Sequence, residues 1–195
     1  MPDLIRLRYV GGDRYIIGVP ACDFDCDVEE AYDLVASGLY EPDLTPEVVE
    51  EVADLVEQSA RPAGVSLEVS IAPDCPPAHA DRDELTLMLS NLVSNAVKYN
   101  RPGGKVTITA CADADMLRID VSDTGLGIPD EALPRLGEEF FRVAAPDRQG
   151  IVGTGLGLAL VHHTLEGYNG RLEVKSKVGE GSTFSILLPL SGPQR

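Results

Sequence analysis

Basic residues are scarce in this sequence. Its 195 residues include 16 Lys and Arg against 32 Asp and Glu, which gives a formal net charge of -16 at pH 7. Nucleic acids and anionic membrane surfaces attract proteins that carry clusters of positive charge. We therefore expect no nucleic-acid partner and no membrane insertion, and we interpret the acidic surface as a solvated one that keeps the protein soluble.

Long hydrophobic runs and a secretory leader are also missing. No uninterrupted apolar stretch approaches the ~20 residues that a membrane-spanning helix needs, and the first residues, MPDLIRLRYVGGD, contain no apolar signal-peptide core. These features predict a cytoplasmic protein. The cysteines form no C-x-x-C motif, so we expect neither a zinc site nor a stable disulfide. They are Cys22, Cys26, Cys75 and Cys111.

The order of the periodic segments predicts an α/β domain. From about residue 41, segments with apolar residues three and four apart alternate with segments in which every second residue is apolar. The predicted order is helix, strand, helix, two strands, a long loop, helix and two strands. This order predicts a two-layer α/β sandwich with a mixed, mostly antiparallel sheet and helices on one face. Residues 41–190 are expected to form this domain, and 191–195 a tail.

Residues 1–40 do not share that pattern. The stretch LIRLRYVGGDRYIIGV predicts two short strands around a Gly-Gly turn, and a short helix is predicted near residues 28–37. We interpret residues 1–40 as a small N-terminal appendage of unknown role.

The helix predicted around SNLVSNAVKYN, residues 90–100, carries an unusual polar stripe. Apolar residues line one face of this helix, and Asn91, Asn95 and Lys98 fall on a narrow stripe beside that face. Asparagine disfavours helices because its side chain competes for backbone hydrogen bonds. Two asparagines one turn apart beside a core therefore indicate either a structural hydrogen-bonding pair or a binding site.

Three glycine-rich segments follow this helix: DTGLGIP (123–129), GTGLGLAL (153–160) and GEGSTF (179–184). The sequence contains no P-loop, no dinucleotide fingerprint after a strand and no protein-kinase motif set. Asp123, at the end of a predicted strand, can accept a hydrogen bond from an exocyclic amine such as that of adenine. The helix that GTGLGLAL opens can bind a polyphosphate through its N–H groups, and the Asn95 amide suits Mg²⁺.

Together these segments resemble the ATP-binding catalytic domain of two-component sensor histidine kinases, within the GHKL superfamily. NLVSNAVKY resembles the N box, DTGLGIP the G1 box, EEFFRV (138–143) the F box, GTGLGLAL the G2 box and GEGSTF the G3 box. The likeness covers residues 40–190, and the five boxes stand in the family's order and spacing. It implies the Bergerat-type ATP-binding fold, ATP and Mg²⁺ as ligands, and protein histidine kinase activity.

The resemblance also implies roles for individual residues. The catalytic set near Mg²⁺ and the phosphates is Asn95, as the metal ligand, with Asn91, Lys98 and Arg142. The set around the base is Tyr99, Asp123, Gly125, Gly127, Ile128 and Thr183, in which Asp123 and Thr183 read adenine. The set that closes over the phosphates is Gly153, Thr154, Gly155, Leu156 and Gly157. Residues 129–152 would form a mobile lid, from which Arg148 reaches the γ-phosphate.

The chain departs from the family pattern at two points. Gly137 stands where the F box usually opens with an aromatic residue, and no phosphoacceptor box surrounds His79, His162 or His163. The resemblance therefore implies phosphotransfer to a histidine on a separate dimerisation domain, in a longer protein or in another chain, and an indirect link to a response regulator. ATP-hydrolysing relatives have a glutamate at the position of Asn91. We therefore expect slow hydrolysis by the isolated chain, because an amide is no base near neutral pH.

Three other functions remain open from the sequence. The first is an anti-sigma-type serine kinase of the same superfamily, which Asn91 disfavours for the same reason. The second is a non-catalytic module that senses nucleotide or binds a partner, and the third is a structural domain that binds nothing. Phosphotransfer to a separately supplied histidine-bearing domain and calorimetry with Mg-ATP distinguish these functions.

Overall fold

The computed structural model describes residues 5–9, 15–16, 19–20, 24–26, 40–42, 44–73, 75–76, 78, 80–143 and 154–190. The chain divides into two compact units, Met1–Thr45 and Pro46–Arg195. Within the described ranges, no helix combines the length and the apolar character that crossing a membrane requires.

The first unit contains short antiparallel strands. The strand β1 (Ile5–Tyr9) pairs with β4 (Phe24–Cys26) and with β5 (Tyr40–Pro42), while β2 (Tyr15–Ile16) pairs with β3 (Val19–Pro20). Both segments predicted as strands contain a strand, β1 and β2, while the predicted Gly-Gly turn between them lies outside the described residues. The helix predicted near residues 28–37 lies outside the described residues.

In the described ranges, three α-helices belong to the second unit or lead into it: α1 (Leu44–Ala60), α2 (Arg82–Lys98) and α3 (Gly157–Gly167). The Asp81 side chain caps α2 by accepting hydrogen bonds from the N–H groups of Asp83 and Glu84, at 2.9 and 3.2 Å. This cap satisfies two backbone donors that would otherwise lack a partner within the helix. It thereby fixes where α2 begins, and with it the helical phase of the two asparagines.

Five strands form the sheet of the second unit, in the order β6, β7, β8, β10, β9. They are β6 (Ser66–Ile71), β7 (Lys105–Asp113), β8 (Met116–Asp123), β9 (Arg171–Lys177) and β10 (Gly181–Pro189). The pairing of β6 with β7 is parallel, and the other pairings are antiparallel. The sheet is therefore mixed and mostly antiparallel, as predicted.

The core lies between the helices and one face of the sheet. Every second residue of β7 and β8 is buried, namely Val106, Ile108, Ala110, Leu117, Ile119 and Val121. The apolar face of α2 is buried as well, through Leu85, Met88, Leu89, Leu92, Val93, Ala96 and Val97. Burial of a single leucine contributes about 1.5–3 kcal/mol relative to leaving it exposed. This packing holds the polar stripe of α2 at the edge of the core.

Two local features differ from the simple helix and strand pattern. Leu55 belongs to the apolar stripe of α1 by its spacing, yet it is 60% exposed. The segment after β8, which has the glycine and proline content of a loop, contains a short 3-10 helix over Asp130–Arg135. Both features lie next to the cleft described below.

Candidate functional site

A cleft of about 530 Å³ opens beside α2, in the size range of small-molecule sites. Helix α1 contributes Leu55, Val56 and Ser59, and α2 contributes Ser90, Asn91, Ser94, Asn95 and Lys98. The remaining lining residues are Tyr99, Asp123, Gly127, Ile128, Leu136, Gly137, Glu138, Phe141, Arg142, Val143, Thr154, Gly155, Gly157, Leu158, Ser182 and Phe184. The cleft thus brings the N-box, G1, F-box, G2 and G3 segments together.

The last two turns of α2 line the cleft and have a contact at either end. Near Asn91, α2 meets the start of α3, where a Cβ added at Gly157 would lie 2.6 Å from Asn91 Oδ1. Near Tyr99, α2 meets the loop after β8, where the Leu126 N–H donates to the Tyr99 carbonyl oxygen at 3.0 Å. Eight residues of α-helix span about 12 Å. Asn95 and Lys98 lie between these two contacts.

The two asparagines of α2 are in different hydrogen-bonding states. Asn91 donates from Nδ2 to the Leu87 carbonyl oxygen at 2.8 Å, one turn back in its own helix. Asn95 also lines the cleft, and its side-chain amide makes no hydrogen bond with the part of the chain that the structure describes. The Asn91 side chain is thus anchored to its own helix, whereas the Asn95 side chain can turn its amide oxygen toward a cation.

Two cations share the cleft. Lys98 and Arg142 both line it, and the pKa of Lys98 is lowered, first by burial and then by the positive charge of Arg142. The Lys98 ammonium also lies 5.5 Å from the centre of the Tyr99 ring. A polyanion bound near these side chains would relieve their mutual repulsion.

The Asp123 carboxylate forms the polar part of the cleft at the end of β8. Its Oδ1 accepts a hydrogen bond from the Gly125 N–H at 2.7 Å. Burial raises the pKa of the Asp123 carboxyl, against the lowering effect of hydrogen bonds from Gly125 and Ser182 and of the Arg101 charge. A half-buried acceptor with raised pKa, inside a cleft, is typical of a binding group.

Gly125 supports this carboxylate from behind. It does not line the cleft, and a Cβ at this position would overlap the Tyr99 carbonyl oxygen and lie 2.7 Å from Asp123 Oδ1. Only a glycine lets the backbone approach α2 and Asp123 this closely. The predicted role of Gly125 in shaping the base pocket is therefore indirect, through Asp123.

The predicted placement of Thr183 in the cleft is wrong, and Ser182 occupies that place. Neighbouring residues of a strand point to opposite faces of the sheet. Ser182 pairs with Asp123 across β8 and β10, lines the cleft and hydrogen-bonds to the Asp123 carboxylate. Thr183 pairs with Ser122 instead, and their hydroxyl oxygens lie 2.9 Å apart on the other face.

The other predicted residues fall into three groups. Those that line the cleft are Asn91, Asn95, Lys98, Tyr99, Asp123, Gly127, Ile128, Arg142, Thr154, Gly155 and Gly157. Leu156 does not line it, although its N–H donates to Thr154 Oγ1 at 3.4 Å at the start of α3. Arg148 and Gly153 lie outside the described residues.

The F-box segment contributes one ring to the cleft. Phe141 lines it and stacks on the guanidinium of Arg135, 4.1 Å from the ring centre. Phe140 points outward, 69% exposed, and its N–H donates to the Gly155 carbonyl oxygen at 3.2 Å. At Gly137, a Cβ would lie 3.9 Å from His162. The backbone of the F box is thus tied to the start of the G2 segment.

The fold agrees with comparisons to known proteins. The family model for histidine kinase-, DNA gyrase B- and HSP90-like ATPases matches residues 80–192, more than half of the chain. The chain belongs to this ATPase family. The match spans α2, the G1, F and G2 segments and the whole of β10, and so includes every predicted site residue.

Curated relatives and solved structures add that the domain is of the histidine kinase type. The chain is 38% identical over 149 residues to the phosphate regulon sensor protein PhoR of Pseudomonas aeruginosa, covering 75% of this chain and 34% of that protein. It is 37% identical over 148 residues to the non-motile and phage-resistance protein of Caulobacter vibrioides, covering 74% of this chain and 18% of that protein. The chain therefore spans about a third or less of the length of these relatives.

Among solved structures, the catalytic domain of histidine kinase ThkA has a TM-score of 0.66 and 26% identity, over 77% of this chain and 95% of that one. The mycobacterial sensor histidine kinase MprB has a TM-score of 0.65 and 27% identity, over 74% of this chain and 94% of that one. The predicted α/β sandwich is confirmed. The chain carries the ATP-binding catalytic domain found in sensor histidine kinases.

Proposed function

We propose that this chain binds Mg-ATP in the cleft along α2 and presents the γ-phosphate to a histidine on a separate dimerisation domain. The observation that carries the proposal is the axis of the cleft, from the start of α3 beside Asn91 to the Asp123 carboxylate beyond Tyr99. An axis of about 12 Å suits a base at one end and a triphosphate at the other.

The base would bind at the Asp123 end. An ionised carboxylate can accept a hydrogen bond from the exocyclic amine of adenine, whereas the carbonyl at the equivalent position of guanine offers no donor. Tyr99 and Ile128 line the same part of the cleft and can cover the faces of the ring. Ser182, which hydrogen-bonds to Asp123, would hold the carboxylate in this orientation.

The phosphates would lie along Lys98, Arg142 and the start of α3. Backbone N–H groups at the start of a helix and two nearby cations neutralise a polyanion without any covalent chemistry. The Asn95 amide oxygen fits Mg²⁺. No cluster of three His, Cys, Asp or Glu side chains suited to a metal occurs in the described ranges, so the phosphates themselves would supply further oxygen ligands. When bound, Mg²⁺ supplies charge neutralisation and orientation of the phosphates.

Catalysis in this proposal is positioning and charge neutralisation rather than activation of water. The N-box position at which hydrolysing relatives have an acid is Asn91, and its amide nitrogen is engaged with the Leu87 carbonyl oxygen. His162 and His163 are exposed on α3 beside Glu166, outside the cleft lining. The nucleophile would therefore come from a partner, and the cleft would hold ATP until that partner arrives.

The wider setting is part of the same proposal. The partner would be a histidine-bearing dimerisation domain, in the same longer protein or in another chain, with a response regulator downstream. We also propose that residues 1–40 are an appendage, 41–190 the ATP-binding domain and 191–195 a tail. A cytoplasmic location stays a prediction from the sequence.

Two measurements test the function. Calorimetry should show Mg-dependent ATP binding by the parent and at least tenfold weaker binding by Asp123→Asn and by Asn95→Ala, with Thr183→Ala as the control that keeps parental affinity. Incubation with ATP and a separately supplied dimerisation domain of a sensor histidine kinase should then label that domain on histidine. ATP binding without any phosphotransfer would favour a nucleotide-sensing module, and no binding at all would favour a structural domain.

A further inference from the structure

Arg101, just beyond the end of α2, joins two glycine-rich loops that are far apart in the chain. Its Nη2 donates to the Gly125 carbonyl oxygen at 2.7 Å, and the same nitrogen donates to the Gly179 carbonyl oxygen. Gly125 belongs to the G1 segment and Gly179 to the G3 segment, 78 residues from Arg101. One guanidinium nitrogen thus ties both loops to the end of α2.

Backbone hydrogen bonds also connect the segments around the Arg101 guanidinium. The Leu126 N–H donates to the Tyr99 carbonyl oxygen at 3.0 Å, and the Gly179 N–H donates to the Leu126 carbonyl oxygen at 2.9 Å. These bonds link the corner after α2, the G1 loop and the G3 turn. A second side chain, Ser176, also joins the two segments, because its Oγ accepts from the Ile128 N–H at 2.8 Å and donates to the Gly181 carbonyl oxygen at 2.9 Å. Arg101 differs from Ser176 in that it bonds to the Gly125 peptide, next to Asp123.

This set of hydrogen bonds extends to the Asp123 carboxylate. The Gly125 N–H donates to Asp123 Oδ1, while the Gly125 carbonyl oxygen accepts from Arg101. The Gly125 N–H is therefore fixed by its bond to Asp123, and the Gly125 carbonyl oxygen by its bond from Arg101. A shift of Gly125 would move the N–H that orients the Asp123 carboxylate. Arg101 itself is exposed and does not line the cleft, so it acts on Asp123 through Gly125.

We propose that Arg101 is a positioning residue that sets the selectivity of the cleft for the base, by holding the G1 and G3 loops at the spacing that presents the Asp123 carboxylate. This inference rests on the proposed function, because it assigns the base to the Asp123 end. It adds a residue from outside the cleft to those that determine affinity for adenine.

The charge of Arg101 supports the same role. Burial raises the pKa of the Asp123 carboxyl, and the positive charge of Arg101 is one of the influences that lower it. A hydrogen bond from the adenine amine needs the ionised carboxylate. Arg101 therefore favours both the position and the charge state that the proposed base contact requires.

The test compares Arg101→Met and Arg101→Lys with the parent. The control is Arg61→Met, which removes another exposed arginine, bonded only to Glu57 in the described structure. Calorimetry measures the dissociation constants of Mg-ATP and of Mg-tripolyphosphate, which has the phosphates but no base. We expect Arg101→Met to bind ATP about tenfold more weakly, the loss typical of one partly exposed charge-assisted hydrogen bond, and to bind tripolyphosphate within twofold of the parent.

Arg101→Lys keeps the charge and a nitrogen that can donate to a carbonyl, so it should recover most of the ATP affinity, and Arg61→Met should match the parent. Carboxyl NMR should show the pKa of Asp123 rising further in Arg101→Met. Equal weakening of ATP and tripolyphosphate, or parental ATP affinity in Arg101→Met, would overturn the role of Arg101 alone. A parent that binds no ATP would overturn the proposed function and this inference with it.

Discussion

Ser182 and Thr183 are adjacent in β10, yet their hydroxyl groups lie on opposite faces of the sheet. Ser182 hydrogen-bonds to the Asp123 carboxylate inside the cleft, whereas Thr183 meets Ser122 at 2.9 Å on the other side. Two hydroxyls of one motif can therefore be compared directly, because Ser182→Ala removes one hydroxyl oxygen and Thr183→Ala removes a hydroxyl and a methyl group from the same strand.

The first prediction concerns this pair. Ser182→Ala should weaken Mg-ATP binding about tenfold, the effect of losing one hydrogen bond to a charged group, because the carboxylate loses one of its donors while the Gly125 N–H remains. Thr183→Ala should stay within twofold of the parent. Calorimetry of both variants checks the prediction, and the reverse order of effects would show that Thr183 is the residue in the base pocket after all.

The second prediction concerns pH. Because the pKa of Asp123 is raised, the ionised carboxylate is lost at a higher pH than for an ordinary aspartate, and ATP affinity should fall as pH drops through that raised value. The ATP affinity of Asp123→Asn should not fall in this pH range for this reason, because an asparagine side chain does not titrate. Calorimetry measures the ATP affinity of both proteins between neutral pH and pH 4. The prediction is contradicted if the two affinities change with pH in parallel.

Protonation of Asp123 should weaken ATP binding but stabilise the folded state. The native state binds the Asp123 proton more tightly than the unfolded chain, so this group's contribution to the free energy of unfolding falls as pH rises between the two pKa values. Relative to Asp123→Asn, the parent should therefore gain stability as the solution is acidified through that window. Urea unfolding of the two proteins as a function of pH gives the difference.

The third prediction concerns the contact between α2 and α3. In Gly157→Ala the new Cβ would lie 2.6 Å from Asn91 Oδ1, so the Asn91 side chain must turn away and loses its bond to Leu87. We expect a loss of about 1 kcal/mol in the free energy of unfolding and ATP binding several-fold weaker.

The control for this variant lies in the same helix. A Cβ at Gly167 meets nothing within 4 Å, so Gly167→Ala should leave ATP affinity unchanged and raise stability by up to about 1 kcal/mol, because alanine favours a helix over glycine. Urea unfolding and calorimetry are needed for both variants. If the two variants have equal ATP affinities and equal free energies of unfolding, the close approach of Gly157 to Asn91 has no role.

The fourth prediction concerns the core face of α2. Leu92 is fully buried and Leu87, in the same helix, is 42% exposed. Leu92→Ala should lower the free energy of unfolding by about 3 kcal/mol, the usual cost of a cavity of this size, and Leu87→Ala by less than about 1 kcal/mol. Chemical denaturation measures both, and saturating ATP should raise the midpoint of each variant that still binds it.

Local patterns in the sequence predicted the elements of this domain well. The helices and the hairpins of the second unit follow from apolar spacing, because that spacing reflects which face of each element is buried. The β7–β8 pair follows the predicted alternation, because every second residue of each strand is apolar and buried, with Ile108 opposite Val121. The cleft residues of α2 follow from the same helical phase.

What the sequence could not provide was the pairing of distant segments. The choice between Ser182 and Thr183 depends on one residue of register between β10 and β8, which a motif of glycines leaves open. The same holds for β1, whose partners β4 and β5 cannot be deduced from its own alternation. Arg101 was missed because its partner Gly179 is 78 residues away, and nothing in the local pattern links them.

The amide of Asn91 has a chemical consequence beyond its place in the N box. Its nitrogen faces the Leu87 carbonyl oxygen, and its oxygen faces the position where Gly157 lacks a Cβ. An aspartate, which has nearly the same shape, would set one oxygen against the Leu87 carbonyl and repel it. An isosteric acid is therefore disfavoured in this rotamer, and an aspartate at residue 91 would have to turn away from the Leu87 carbonyl oxygen even before any nucleotide enters.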